Sequence, residues 1–132
     1  MAVIPEQYSD LLSGKKAFAS IATIMRDGTP QVTPVWFDYH DGKLRVNTAR
    51  GRVKSRTLKE GAPVALAIID PDNPYRYLQV RGKVVSVTES GADAHIDLLA
   101  KKYLGADKYP FGKPGDVRII CEIEPTSAQA MG

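Results

Sequence analysis

Two Asp-Gly pairs, Asp27-Gly28 and Asp41-Gly42, constrain the fold of this chain more than any other feature. Each supplies the positive φ angles that tight hairpins require. Ala17 to Asn47 around them has strand chemistry, so the segment reads as three antiparallel strands in a meander. The middle strand, Pro30 to Tyr39, puts Gln31, Thr33, Val35 and Phe37 on one face and Val32, Pro34, Trp36 and Asp38 on the other. Neither face is purely polar, as expected of a strand with the core on one side and a ligand or second subunit on the other. Pro34 removes a ladder donor, which places it at an edge or a contact site.

The rest of the chain alternates short helices with further strands. Pro5 and Glu6 suit the first turn of a short peripheral helix, Lys15 and Lys16 its C-terminal end, and Gly14 a left-handed stop between. Gly51 bends the chain into two helical turns from Val53 to Glu60, ending before Gly61. Val64 to Asp70 is a short apolar strand, and the loop Pro71-Asp72-Asn73-Pro74 leads into a long one from Tyr75 to Val87, where Gly82 marks a bulge or a close approach. Ser90 and Asp93 have the spacing of a capping box, and Ala92, Ile96, Leu99 and Tyr103 share one helical face that packs on the strands. A Gly- and Pro-rich loop from Gly105 to Gly115 precedes a final strand, Val117 to Ile123.

With 132 residues, 43% hydrophobic and 25% charged, the chain is expected to form one domain, 1–132, that needs neither disulfide nor metal to hold a core. Cys121, the only cysteine, lies among Ile119, Ile120 and Ile123 and reads as a small buried hydrophobe. The longest apolar runs, Ala17 to Met25 and Val64 to Ile69, are too short to span a bilayer, and the expected compartment is the cytoplasm. His40 in a hairpin turn and His95 on a helix are too isolated beside one cysteine for a metal site; both read as solvated or capping residues. Neither a nucleophile elbow nor a glycine-rich nucleotide loop occurs, which suits chemistry carried by a cofactor.

Net charge is +3, yet Lys43, Arg45, Arg50, Arg52, Lys54, Arg56 and Lys59 crowd one stretch without an acid. There, from Leu44 to Leu58, a strand delivers a hydroxyl and several cations to a helix start, where unsatisfied amides and the helix dipole favour an anion. Thr48, Arg52 and Lys54 are the candidate phosphate cradle. From charge alone the segment reads equally as a solvated basic helix. Tyr75, Tyr77, Tyr109 and Phe111 are candidate walls of a substrate cleft, with a tyrosine available as proton donor, or simply packing residues.

The spacing from Thr48 through Lys54 to Leu58 resembles the phosphate-binding turn of the pyridoxamine 5′-phosphate oxidase-like split-barrel superfamily. Pro30 to Phe37 and Asn73 to Gly82 are similar to the ring-side strand and second signature of its deazaflavin-dependent reductase branch. The resemblance implies a mostly β fold, a six- to seven-stranded antiparallel split barrel with flanking helices. It implies an oxidoreductase that passes a hydride from reduced coenzyme F420 to an unsaturated organic acceptor such as an enone or quinone. Thr33, Pro34, Val35 and Trp36 would then line the cofactor ring, and Thr48, Arg52, Val53 and Lys54 would form the phosphate turn. Arg50, Arg52 and Arg56 carry more charge than one phosphate needs, which favours F420 with its phosphodiester and glutamate tail over flavin mononucleotide (FMN).

Gln79 and Arg81 would come from the partner subunit of a homodimer with cofactor sites across the interface. Trp36 fits such an interface or, alternatively, the core. Three alternatives stay open at this level: an FMN oxidase or reductase, a non-enzymatic flavin or tetrapyrrole carrier of the same fold, and a barrel that binds nucleic acid through the basic turn. A net charge of +3 is modest for the last of these, so no nucleic-acid partner is expected.

Overall fold

A computed structural model describes residues 3–132. Seven strands make one antiparallel sheet: β1 (Ala19–Ile24), β2 (Pro30–Val35), β3 (Asp38–His40), β4 (Lys43–Ala49), β5 (Pro63–Asp70), β6 (Asn73–Thr88) and β7 (Arg118–Met131). Their order across the sheet is β2-β1-β5-β6-β7-β4-β3. The edge strands β2 and β3 are joined only by Trp36 and Phe37, so their ends lie within about 11 Å of each other along the chain. In a flat sheet of seven strands the edges would stand roughly 29 Å apart. The sheet is therefore rolled into a barrel, split where β2 and β3 do not pair.

That crossing corrects the expectation of a continuous strand from Pro30 to Tyr39 and of a simple meander. The two Asp-Gly hairpins do form, β1 with β2 and β3 with β4, but the connection between them runs from one sheet edge to the other. Tertiary contacts hold it: Phe37 is wholly buried, its amide donates to the Tyr103 hydroxyl at 3.4 Å, and Trp36 stacks on the Tyr103 ring.

The barrel interior is filled by alternate residues of the strands, among them Ile21, Leu44, Val46, Leu66, Ile68, Leu78, Val80 and Ile123. Leu11 and Leu12 of α1 (Asp10–Ser13) join this core, after a single 3₁₀ turn at Glu6–Tyr8. Gly14 ends α1 in a right-handed conformation (φ −95°), not the left-handed stop expected, because its amide can still reach the Asp10 carbonyl. Lys15 and Arg76 converge on buried Asp70, tying this N-terminal segment to the β5-β6 turn.

Strands β6 and β7 are long because each serves both halves of the barrel. The first part of β6 pairs with β5 and with the end of β7; the second part pairs with the start of β7, which also pairs with β4. β7 thus runs eight residues past the Ile123 expected. Register shifts at Arg81/Gly82 and Val84/Ser86 allow the bend. At Gly82 a Cβ would stand 2.3 Å from the Glu124 carbonyl oxygen, so the strands approach too closely there for any side chain. Gly82→Ala is expected to force them apart and lower stability by about 1–3 kcal/mol, read as a shift in the urea midpoint. An unchanged midpoint would mean that the bulge absorbs the methyl group.

Two helices flank the sheet. α2 (Val53–Thr57) is one turn, shorter than the span to Glu60 expected from the sequence. α3 (Ala92–Leu104) packs through Ala92, Ile96, Leu99 and Tyr103, as its stripe predicts. The capping box does not form, since Gly91 takes a left-handed conformation at the N-cap and no side chain caps the helix. Cys121 is buried in the core and its thiol is pushed up to about 11 by burial. No helix among the described residues is long and apolar enough to cross a membrane.

Candidate functional site

Where β4 ends, Ala49, Arg50 and Gly51 reverse the chain, with Gly51 at φ +90°, and α2 folds back beside β2. This turn swings Lys54 to within 3.3 Å of the Thr33 hydroxyl, to which it donates. A pocket of about 250 Å³ opens between the end of β2, the end of β4, the start of α2 and the side of α3. Pro34, Val35 and Trp36 form one side, and Thr48, Arg52 and Lys54 another. Ile96 and Leu99 of α3 supply an apolar floor.

The pocket holds two buried polar atoms that have no hydrogen-bond partner within the chain. These are the Thr48 hydroxyl and one terminal nitrogen, Nη1, of Arg118, on residues only 2% and 7% exposed. Buried polar groups are rarely left unpaired, because desolvation without a partner costs about 1–3 kcal/mol. Both residues line a cavity that Arg52 and Lys54 also border. Burial, reinforced by the neighbouring Arg52, lowers the proton affinity of Lys54. Burial also lowers that of Arg118, where Arg52 opposes the charge and Tyr109, Asp116 and Asp93 nearby favour it. No acid is bonded to Arg52, Lys54 or Arg118. The donor set therefore fits an anion such as a phosphate, which would accept from the orphaned groups and offset the mutual repulsion.

Aromatic rings line the mouth. Trp36 lies between Tyr103, stacked at 5.3 Å, and Tyr109, edge-on at 5.9 Å; Tyr109 in turn meets Phe111 edge-on at 5.7 Å. Phe18 stacks on Tyr103 and also borders the cavity. The Arg118 guanidinium lies 5.2 Å from the Tyr109 ring. Such a wall suits a planar ring. Tyr103 is not available as a proton donor: burial pushes it up to about 12, and its hydroxyl is bonded to the Ala17 carbonyl at 2.7 Å.

The structure gathers Pro34, Val35, Trp36, Thr48, Arg52 and Lys54 around the pocket, with Thr33 reached through Lys54. It does not bring the remaining candidates there. Arg50 pairs with Glu89 on the surface. Val53 and Arg56 point to a second, wider groove of about 990 Å³, where Arg56 joins Arg26 and Lys59. Gln79 and Arg81 stand exposed on β6, outside both concavities. Of the candidate aromatics, Tyr109 and Phe111 line the cavity, while Tyr75 and Tyr77 do not.

Sequence reasoning missed Asn47, His95 and Arg118. His95 is neither solvated nor capping; it is 4% exposed and lies between Asp38 and Asn47. The available signals were an asparagine inside the apolar run of β4 and an arginine at the head of the Ile-rich β7. Among the described residues no three metal-ligating side chains cluster.

The family model for pyridoxamine 5′-phosphate oxidase matches residues 4–132. Among solved structures, an F420 reductase aligns over 96% of this chain and 98% of its own, with 37% identity and a TM-score of 0.82. A conserved hypothetical protein from Mycobacterium tuberculosis aligns over 98% and 86%, with 20% identity and a TM-score of 0.71. An FAD and heme binding protein from Mycobacterium smegmatis aligns over 98% and 71%, with 17% identity and a TM-score of 0.70. The latter two likenesses are of fold alone. No curated protein matches the sequence significantly.

Proposed function

The chain belongs to the pyridoxamine 5′-phosphate oxidase family, and on that footing we propose that it is an oxidoreductase that uses reduced coenzyme F420 to reduce an unsaturated organic acceptor such as an enone or quinone. The observation that carries this reading is the cluster of unneutralised Arg52, Lys54 and Arg118 around two orphaned buried polar atoms, beside an aromatic wall. The 37% identity to an F420 reductase supports the deazaflavin over other flavins.

When bound, F420 supplies the hydride from its ring. The chain supplies the setting. Arg52, Lys54 and Thr48 hold the cofactor's phosphodiester, with Lys54 acting as a point charge and Arg52 as a fork. Pro34, Val35 and Trp36 line the ring, and the stacking of Trp36 on Tyr103 keeps that surface from moving. Ile96, Leu99 and the rings of Tyr109 and Phe111 would give ring and acceptor apolar surfaces to lie against, which orients them. α2 borders both concavities, and Arg26, Arg56 and Lys59, which line the wider groove together with Glu60, would be available to hold the acidic tail. Val53 supports this wall.

In this reading the protein is a homodimer in which Gln79 and Arg81 reach the cofactor of the other protomer. Exposed Ile24 and Val32 on β1 and β2 offer apolar surface for that contact. The test is a parallel fluorescence titration with F420 and FMN at moderate salt. Saturable binding of F420 with little for FMN is expected. A preference for FMN would move the function to a flavin oxidase, reductase or carrier, and binding of neither would remove the cofactor assignment.

A further inference from the structure

Behind the pocket wall runs a line of polar side chains that hydride transfer, as described, does not use. Arg45 donates twice to Asp38, at 3.0 and 2.5 Å, and Asp38 Oδ1 lies 3.0 Å from His95 Nε2. His95 Nδ1 faces Asn47 Nδ2 at 3.1 Å. The same Nδ2 donates to the Ala92 carbonyl at 2.8 Å, and Asn47 Oδ1 accepts from Arg118 Nε at 2.8 Å. The line ends on Arg118, which lines the pocket and whose Nη1 is buried and without a hydrogen-bond partner among the described residues.

The hydrogens along this line follow from its two ends. Asp38 is ionised beside Arg45, so His95 Nε2 carries a hydrogen and donates to it. The Ala92 carbonyl can only accept, so Asn47 turns its nitrogen toward Ala92 and His95 and its oxygen toward Arg118. His95 Nδ1 must then present a lone pair. The partners therefore place a hydrogen of His95 on Nε2 toward Asp38 and leave Asn47 Oδ1 aimed at the guanidinium.

We propose that Arg118 is the anchor for an anionic oxygen, phosphate or carboxylate, of the molecule bound in this pocket, and that Asn47 and His95 are its positioning residues. The inference rests on reading the pocket as a ligand site. A guanidinium that is 7% exposed, crowded by Arg52, bonded to no acid and held at its Nε by a dedicated acceptor is oriented toward something outside the chain. A purely structural arginine would have its terminal nitrogens satisfied.

The experiment titrates the full chain, wild type and Arg118→Gln, following the fluorescence of Trp36, its only tryptophan. The probes are F420, the phosphate-free deazaflavin riboside, benzoate as a planar carboxylate, and inorganic phosphate. We expect Arg118→Gln to weaken at least one anionic probe ten-fold or more while the neutral riboside is unaffected. Loss for both F420 and inorganic phosphate identifies the cofactor phosphate as the source of the oxygen, loss for F420 and benzoate with phosphate unaffected identifies a carboxylate of its tail, and loss for benzoate alone identifies a carboxylate on the acceptor. If Arg118→Gln does not fold, Arg118→Lys carries the same comparison.

Equal affinities across all probes would overturn the anchor. Failure of F420 to bind the wild type, with phosphate or benzoate still bound through Arg118, would sink the proposed cofactor and leave the anchor standing. For positioning, His95→Ala should weaken the same anionic probe several-fold and leave the neutral riboside unaffected, and His95→Gln, which can still donate to Asp38 and accept from Asn47, should restore most of the affinity. Unchanged anion affinity in His95→Ala, or an equal loss for riboside and anion, would overturn the role of His95.

Discussion

Lys54→Ala is expected to weaken F420 binding roughly ten- to hundred-fold while leaving the fold intact, the loss of one charge-assisted hydrogen bond of about 1.5–3 kcal/mol. Lys54 sits where burial and Arg52 both oppose its charge, and its one bond within the chain is the long contact to Thr33. A lysine so placed contributes little to the stability of the free protein. Its removal relieves repulsion, so the thermal midpoint should hold or rise slightly as affinity drops. Opposite signs for stability and binding are what separate a ligand-holding cation from a structural one. The measurement is a fluorescence titration paired with a melting curve on the same samples. If affinity were unchanged, Lys54 would leave the site; if both fell together, it would belong to the framework.

Asp38→Ala is expected to cost about 3–5 kcal/mol of stability, because it leaves Arg45 and His95 without the carboxylate that both contact. For a chain of this size that corresponds to a drop of roughly 10–20 °C in the melting midpoint. The pH dependence has a definite sign. Burial alone would raise the Asp38 carboxyl, but hydrogen bonds from His95 and Arg45 outweigh it and hold the group at about 2, against an ordinary 3.8. Its contribution is therefore complete above the ordinary value and is lost as pH falls through about 2. The shift is worth about 2 kcal/mol. Urea midpoints measured between pH 5 and pH 2 should converge for wild type and variant as the acid end is approached. A gap that stayed constant would mean that Asp38 acts through packing and not through its charge.

The same residue shows why parts of the site could not be read from the chain. Asp38 had been assigned to a strand face and His95 to solvent or a cap, fifty-seven positions apart, and only the docking of α3 against β3 and β4 makes them partners. Side-chain pairing over such separations leaves no local pattern. The crossing at Trp36 and Phe37 was illegible for a related reason: alternation continues through it, and nothing nearby signals that β2 and β3 lie at opposite edges. The end of β7 was missed because Glu124-Pro125-Thr126-Ser127 lacks apolar alternation; pairing with β6 makes it a strand.

What the sequence determined by itself was local in origin. The Asp-Gly pairs dictate hairpins because few other residues tolerate those φ angles. The apolar runs dictate strands, and the stripe of α3 dictates which face it buries. The charge crowded around Thr48, Arg52 and Lys54 marked this turn as a candidate anion site, while charge alone read equally as a solvated basic helix. The tertiary structure decided the rest. Barrel closure brought α3 and the head of β7 against the end of β4, adding Asn47 and Arg118 to the pocket and His95 behind its wall, and it left Arg50, Arg56, Gln79 and Arg81 elsewhere. Which groups become buried without partners, and so which await a ligand, depends on desolvation, and desolvation is a property of the packed molecule and not of any segment within it.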